Sequence, residues 1–382
     1  MNLAINKMSA LRILRAIRST KRQLSEQHID LLAPSPSPRR RWSSEGLPLD
    51  RLALESPPSR EHPIYVAVPN KASRLQASFA SCTTYSTGLP ENSFRDIGDG
   101  LSIPCPELLF LEMAQSMSPA VHALLGYELC GSFSRAPQNP RTGATTFGIK
   151  PVTTVKKIRE FLDSCRNVRG LENARRTLGA IADNAWSPME ALLAAMAALP
   201  ENELGYELGS VKLNTRYDSA PELVSLGCRA SRVPDIEIEG TSVGFNYDGH
   251  EHFDLSTLAS ASSDDERAAA MRSIRRKYVD DLRRNRELAA RGLVVIPVTS
   301  EDLFAESGLD AVMLEAAFAI ECLNDRDMGH VRSLVASKTL RRARQRLIWS
   351  LLPWDASLEW AHDIIERERP KAIEVIDVDL TV

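Results

Sequence analysis

The order in which apolar periodicity changes between residues 187 and 303 constrains this chain more than any other feature. Ser187-Pro188-Met189-Glu190 opens a helix, with Ser187 as its cap and Pro188 at the first helical position, where the missing N–H costs nothing. Three segments then read as strands: Ser210 to Tyr217, Pro234 to Ile238 and Thr241 to Tyr247. Glu239-Gly240 lies between the last two and makes them a hairpin. A long helix follows from about Ser263 to Arg291, with Gly292 as its stop. Leu293 to Val298 is an apolar run of the kind a buried strand requires, followed by Thr299-Ser300-Glu301-Asp302-Leu303. One helix, three strands, a helix and a further strand predict an α/β unit over residues 183–305.

The remainder divides around that unit. Residues 1–30 read as a basic helix over residues 8–24, capped by Ser9, with Leu11, Leu14 and Ile17 between Arg12, Arg15 and Arg18. Residues 31–61 form a linker, since the stretch from Pro34 to Pro63 holds seven of the 22 prolines and the run Arg39-Arg40-Arg41. Residues 62–150 make a small α+β module. Its strands are Ile64 to Val68, Cys82 to Tyr85 and Ile97 to Ile103, and its helices begin at Pro106 and near Val121. Residues 151–182 read as a helical connector and 306–382 as a helical C-terminal extension. With 382 residues the chain is long enough for two or three cored domains.

Bulk charge excludes little. A formal net charge of −3 marks no global nucleic-acid binder, so any such role has to come from local clusters. The six cysteines lack CxxC or zinc spacing and read as free thiols of a reducing compartment. No apolar run reaches the roughly 18 residues that a membrane span needs, and the basic N-terminus lacks the apolar stretch of a signal peptide. A cytoplasmic protein without a membrane partner is expected.

Carboxylates carry the candidate chemistry. Asp235 stands at the start of one hairpin strand and Asp248 at the end of the next, so antiparallel pairing brings both to one rim, with Glu190 on the first helix. The string Val233-Pro234-Asp235, then Phe245-Asn246-Tyr247-Asp248-Gly249-His250-Glu251-His252, resembles the very-short-patch-repair-like endonuclease domain of the PD-(D/E)XK superfamily. Asp281, Arg284, Leu288 and Gly292 continue the spacing, and Val298-Thr299 follows. The resemblance covers residues 175 to 305 and implies an αβββαβ restriction-endonuclease-like core that hydrolyses DNA phosphodiesters with Mg²⁺ or Mn²⁺. It also implies the roles: Asp235, Asp248 and Glu190 as metal ligands, His252 positioning water or phosphate, and Arg284 steadying charge. Asn246 stands where that family has Glu, and Pro297 where it has Arg. Asn still offers a carbonyl oxygen, but a neutral ligand weakens a hard-cation site. Glu251 or Glu237 would compensate, although strand alternation puts Glu237 on the face opposite Asn246.

Other readings of the same residues stay open. Glu190 completes a capping pattern with Ser187, and Asp248-Gly249 is a common turn pair. Arg272, Arg275, Arg276, Lys277, Arg283 and Arg286 read as a solvated helix face because acids flank them. Arg341, Arg342, Arg344 and Arg346 have no such balance and are the candidate phosphate contacts. Residues 62–131 resemble the region after the winged helix of AbiEi-type antitoxins, through the Ile64–Val68 strand with Pro69, Gly88-Leu89-Pro90, Gly100 to Pro104 and Pro106-Glu107-Leu108-Leu109. Two functions follow: a metal-dependent endonuclease-like protein, or a catalytically inactive DNA-binding or regulatory protein on the same fold.

Overall fold

The computed structural model describes residues 2–20, 28–29, 35–37, 42–85, 88–248 and 263–354, with Ser357, Glu359, His362 and Asp363. The first half is built on a six-stranded sheet. Strand β1 (Leu3–Ile5) leads into helix α1 (Lys7–Ser19); β2 (His28–Ile29), β3 (Ile64–Val68), β4 (Ala80–Thr84), β5 (Phe94–Gly98) and β6 (Leu101–Pro104) complete it. The order is β2-β5-β6-β1-β3-β4, with β1 parallel to β6 and antiparallel to β3. Leu3, Ala4 and Ile5 are fully buried, so an interior strand precedes the helix expected to stand alone in residues 1–30.

Local chemistry explains where α1 begins. Helix N-termini leave N–H groups without partners. Here the buried Glu112 supplies the acceptor, with its Oε2 2.9 Å from the Lys7 N–H and Oε1 3.1 Å from Asn6 Nδ2. Ser9, expected as the cap, lies inside the helix, and its Oγ accepts the Tyr65 N–H. The expected arginine face is also partly interior. Arg15 grips Glu128 with two bonds of 2.9 and 2.7 Å, and Arg18 donates to the carbonyls of Glu128 and Gly131. The Arg15 guanidinium holds the fully buried Glu128 carboxyl down at about 2, against the upward push of burial.

The single strand expected over Ile97–Ile103 is a hairpin of β5 and β6. Asp99 and Gly100 both take left-handed φ, 56° and 72°, the geometry of a two-residue hairpin turn. The described part of the proline-rich stretch forms no element, yet Leu47 and Leu52 are buried, and Trp42 and Leu54 pack against the same core.

Helices α2 (Pro106–Met113) and α3 (Pro119–Cys130) are apolar on nearly every side and buried on nearly every side. After the short hairpin β7 (Phe133–Ser134) and β8 (Thr146–Phe147) come α4 (Val155–Ser164), α5 (Leu171–Leu178) and α6 (Pro188–Ala198). Helix α3 packs on α5 and α6, and α6 packs on the second sheet. A large hydrophobic cluster includes buried residues from Leu3 to Leu352, and Leu288, Leu293 and Val295 form a small second cluster with Tyr217.

The second sheet comprises β9 (Val211–Leu213), β12 (Ile236–Ile238), β13 (Val243–Asp248) and β14 (Val294–Thr299), with the small pair β10 (Tyr217–Asp218) and β11 (Ser231–Arg232) and the short α7 (Pro221–Ser225) in the connection. Its order is β14-β13-β12-β9. The first three strands in sequence pair antiparallel, and α8 (Asp264–Ala289) carries the chain over to β14, parallel to β13. Gly292 follows α8 at φ 83°, as its position in the sequence predicts. Pro297 sits on an edge strand, where a missing N–H is tolerated. Helices α9 (Ser300–Phe304), α10 (Gly308–Asn324), α11 (Gly329–Ala336) and α12 (Lys338–Leu351) end the described fold, and α10 lies on β13 and β14. The architecture is mixed α/β. Among the described residues no helix is long and apolar enough to cross a membrane.

Removing one member of the buried Arg15–Glu128 pair leaves the other charge uncompensated. Arg15→Ala is expected to lower unfolding free energy by about 3–5 kcal/mol in urea denaturation, and the paired change Arg15→Met with Glu128→Leu by much less. A loss below about 1 kcal/mol for the single change would contradict the clamp.

Candidate functional site

Three elements deliver carboxylates to one rim of the second sheet. The first turn of α6 delivers Glu190. Ser187 Oγ accepts the Glu190 N–H at 3.2 Å, and Glu190 Oε2 reaches back to the Trp186 N–H at 2.9 Å. The capping reading of Glu190 is thus met in its bonds to the start of the helix. The same Oε2 accepts Asn214 Nδ2 at 2.9 Å, and burial raises the Glu190 carboxyl above its ordinary range.

Asp235 immediately precedes β12. Because Ile236 faces Phe245 and the strands are antiparallel, Asp235 comes opposite Asn246. Its N–H donates to Asn246 Oδ1 at 3.0 Å, and its Oδ2 accepts the Tyr247 N–H at 2.7 Å. Burial is the main cause that pushes the Asp235 carboxyl up to about 7. The neighbouring charge of Glu190 adds to it and that of Asp248 adds less, while the Tyr247 N–H and Arg284 oppose. Asp248 ends β13, with its Oδ1 3.5 Å from Arg284 Nη2; Arg284 also meets Asp281 at 3.4 Å. Glu190, Asp235, Asp248, Asn246 and Arg284 are thus brought together. His252 and Glu251 lie outside the described residues.

Asn246 is only 1% exposed, and its orientation is determined by its neighbour. The Oδ1 accepts the backbone N–H of Asp235, which uses one of its two lone pairs and fixes which end of the amide is the donor. Its Nδ2 is buried without a hydrogen-bond partner among the described residues. Asn246 therefore offers the site a donor, where the sequence reading expected a neutral acceptor. Glu237 also differs from expectation. It pairs with Gly244, two residues from Asn246 on one strand, so it shares the face of Asp235 and Asn246. It accepts the Tyr217 hydroxyl, however.

Asn214 is the site residue that sequence reasoning missed. Its left-handed φ of 53° breaks the strand expected over Ser210–Tyr217 into β9 and β10. Its N–H donates to the Asp235 carbonyl, and its Nδ2 to Glu190 and the Asn184 carbonyl. It ties the helix carboxylate to the strand carboxylate. A lone Asn after a short apolar run carries no signal of such a task.

A cleft of about 470 Å³ opens beside Glu190 and Tyr247. The first half of the chain contributes Arg135, Arg141 and the half-exposed Phe147 to its wall, and Trp354 closes the far side.

The basic run of α12 divides. Arg344 is 1% exposed, pairs with Asp310, donates to the Leu204 carbonyl and lies 4.3 Å from the Tyr206 ring centroid. It is an interior structural residue and is unavailable to phosphate. Arg341, Arg342 and Arg346 are partly exposed, and Arg342 stands 4.0 Å from Glu306.

Among the described residues no group of three His, Cys, Asp or Glu side chains forms a ready metal cage. No protein-family model matches the chain, and searches of curated proteins and of solved structures return no match.

The folded chain holds the Asp235 proton up to about pH 7, whereas an unfolded Asp releases it near 4. Between those values the folded state binds more protons, so stability falls as pH rises. Asp235→Asn keeps an acceptor for the Tyr247 N–H and removes the charge. Without divalent metal it is expected to be about 1–3 kcal/mol more stable than wild type at pH 8, with the gap closing by pH 4. A gap independent of pH in thermal or urea unfolding would contradict the buried-carboxylate assignment.

Proposed function

We propose that the chain is a PD-(D/E)XK-type protein that hydrolyses DNA phosphodiester bonds with Mg²⁺ or Mn²⁺. The observation that carries this reading is the placement of Glu190, Asp235 and Asp248, from a helix and two strands, along one rim where burial, with Glu190 and Asp248 as charged neighbours, pushes the Asp235 carboxyl up to about 7. The helix, antiparallel strands, crossover helix and parallel strand stand in the order that this superfamily uses. An arrangement that raises a carboxyl so far is costly without a counter-charge, and such sites concentrate where function needs them.

Asp235 and Asp248 are the residues that would hold a hard cation, although no three-residue cage is formed among the described residues. Mg²⁺ is commonly held by one or two carboxylates, with water filling the remaining positions, so Asp235 and Asp248 suffice without a closed cage. Bound there, the ion supplies Lewis acidity toward a phosphoryl oxygen. The chain's own residues do the rest. Asn246 Nδ2 and the Arg284 Nε, both buried without partners among the described residues, donate to anionic oxygen. Glu190, its carboxyl raised by burial, stands beside Asp235 and is oriented by Asn214 Nδ2 and the Trp186 N–H. The half-exposed Phe147 offers a ring to a base, and Arg135 and Arg141, held by the Pro140 and Trp354 carbonyls, lend positive charge to the same cleft.

A second reading keeps the fold without the chemistry: a DNA-binding regulatory protein of the antitoxin or repressor kind. Asn246 favours it, because a neutral residue replaces a carboxylate and its oxygen is already engaged. The resemblance of residues 62–131 to antitoxins agrees with it.

Supercoiled plasmid incubated with Mg²⁺ or Mn²⁺ separates the two. Wild type is expected to nick or linearise it, with Asp235→Ala and Asp248→Ala each at least about a hundredfold slower, the scale of losing one preorganised charged group. Equal cleavage by all three proteins would sink the hydrolase; binding without cleavage would leave the regulatory reading. Asn246→Glu should lower the melting temperature in EDTA, by burying a further charge, and raise it above wild type in Mn²⁺. No response to Mn²⁺ would remove metal from the account.

A further inference from the structure

We propose that one flank of α8, formed by Arg272, Arg275, Arg276 and Arg283 and faced by Arg229, is a binding surface for the phosphate backbone of duplex DNA. These five arginines, with Val279 and Asp280, line a concavity of about 580 Å³. No function described above uses it. The choice of polymer rests on the phosphodiesterase reading; the surface itself does not.

The sequence reading treats these residues as a solvated face balanced by nearby acids, and that balance does not hold in three dimensions. Asp280 is committed to Arg229 at 2.7 Å and Arg232 at 3.0 Å. Glu287 grips the buried Arg232 with two bonds, and Asp281 meets Arg284. Asp264, Asp265 and Glu266 are confined to the first turn of the helix. Arg272, Arg275, Arg276 and Arg283 are exposed, and none makes an ion pair or hydrogen bond among the described residues.

Spacing makes the four a single surface. At about 100° per residue, positions 272, 275, 276 and 283 fall within an arc of roughly 100°, along about 16 Å of helix. Arg272 has like-charged neighbours at i+3 and i+4, an arrangement that disfavours the helix until an anion neutralises it. Duplex DNA carries a charge every 1.7 Å or so of its length, and a guanidinium fork meets a phosphate with two parallel bonds. The exposed apolar residues of α8, Met271, Tyr278 and Leu282, lie roughly 80–120° around the helix from the centre of this flank. Within the arginine arc itself Val279 is, among the described residues, the one apolar side chain lining the concavity, which presents charge to a polyanion and little apolar area for insertion into a bilayer.

The test uses the full chain in EDTA, where no metal-dependent cleavage occurs. Fluorescence anisotropy with a short labelled duplex of arbitrary sequence is read across a salt series. Wild type should bind with a log–log salt slope of about −3 to −4, as expected for three or four neutralised phosphates. The quadruple variant Arg272→Gln, Arg275→Gln, Arg276→Gln, Arg283→Gln, all at exposed positions, should lose at least about tenfold in affinity at low salt and most of that slope. Because EDTA removes any metal-dependent step, failed plasmid cleavage by wild type leaves this binding result intact. Unchanged affinity and slope in the quadruple variant would overturn the proposal. So would binding to phosphatidylserine vesicles without binding to the duplex.

Discussion

In the β12–β13 ladder Ile236 faces Phe245, and the whole rim inherits its geometry from that register. Side chains alternate along a strand, so a slip of one residue would turn Asp235, Asn246 and Asp248 into the apolar layer and bring Phe245 out. The apolar set on the other face prevents the slip. Ile236, Ile238, Val243 and Phe245 are all fully buried in the common core, against α6 and α10. Hydrophobic burial on one side of the sheet thus positions charge on the other. The parallel pairing of β14 continues the arrangement, placing Pro297 beside Asn246 and Thr299 beside Asp248.

That positioning is unfavourable for the carboxylates themselves. Asp235 is drawn out of water with Glu190 nearby, and receives from the chain one N–H and a distant guanidinium. Elsewhere the chain treats buried acids differently. Glu128 has an arginine locked onto it and is held ionised, and Glu287 is matched by Arg232. The contrast between fully neutralised interior acids and an under-neutralised rim is the physical basis for the proposed cation site.

Much of the second sheet is legible in the sequence because its signals are local. Ser187-Pro188 opens α6, Glu239-Gly240 turns the hairpin, and Gly292 stops α8, each within a few residues of where it acts. Asp99-Gly100 is an equally local hairpin signal, but it is masked by apolar residues on both sides that read as one strand. What the sequence conceals depends on distant partners. Leu3–Ile5 becomes an interior strand only because β3 and β6 flank it. Arg344 looks like part of a basic stripe until Asp310 and Tyr206 close over it. Asn214 acquires its task from Glu190, 24 residues earlier. The cleft beside Glu190 draws its wall from residues as far apart as Arg135 and Trp354, so no window of sequence contains it.

The shared core has a functional consequence. With α3 packed on α6, and α6 carrying Glu190, the first half of the chain buttresses the site as well as lending Arg135, Arg141 and Phe147 to its cleft. Whether Asp235 takes up the proposed cation is read out by a ¹³C NMR titration of its side-chain carboxyl. The account predicts a midpoint near pH 7 in EDTA that falls markedly when Mg²⁺ is added, because metal and proton compete for one oxygen. A midpoint near 4 in EDTA, or one that saturating Mg²⁺ leaves unmoved, would contradict it.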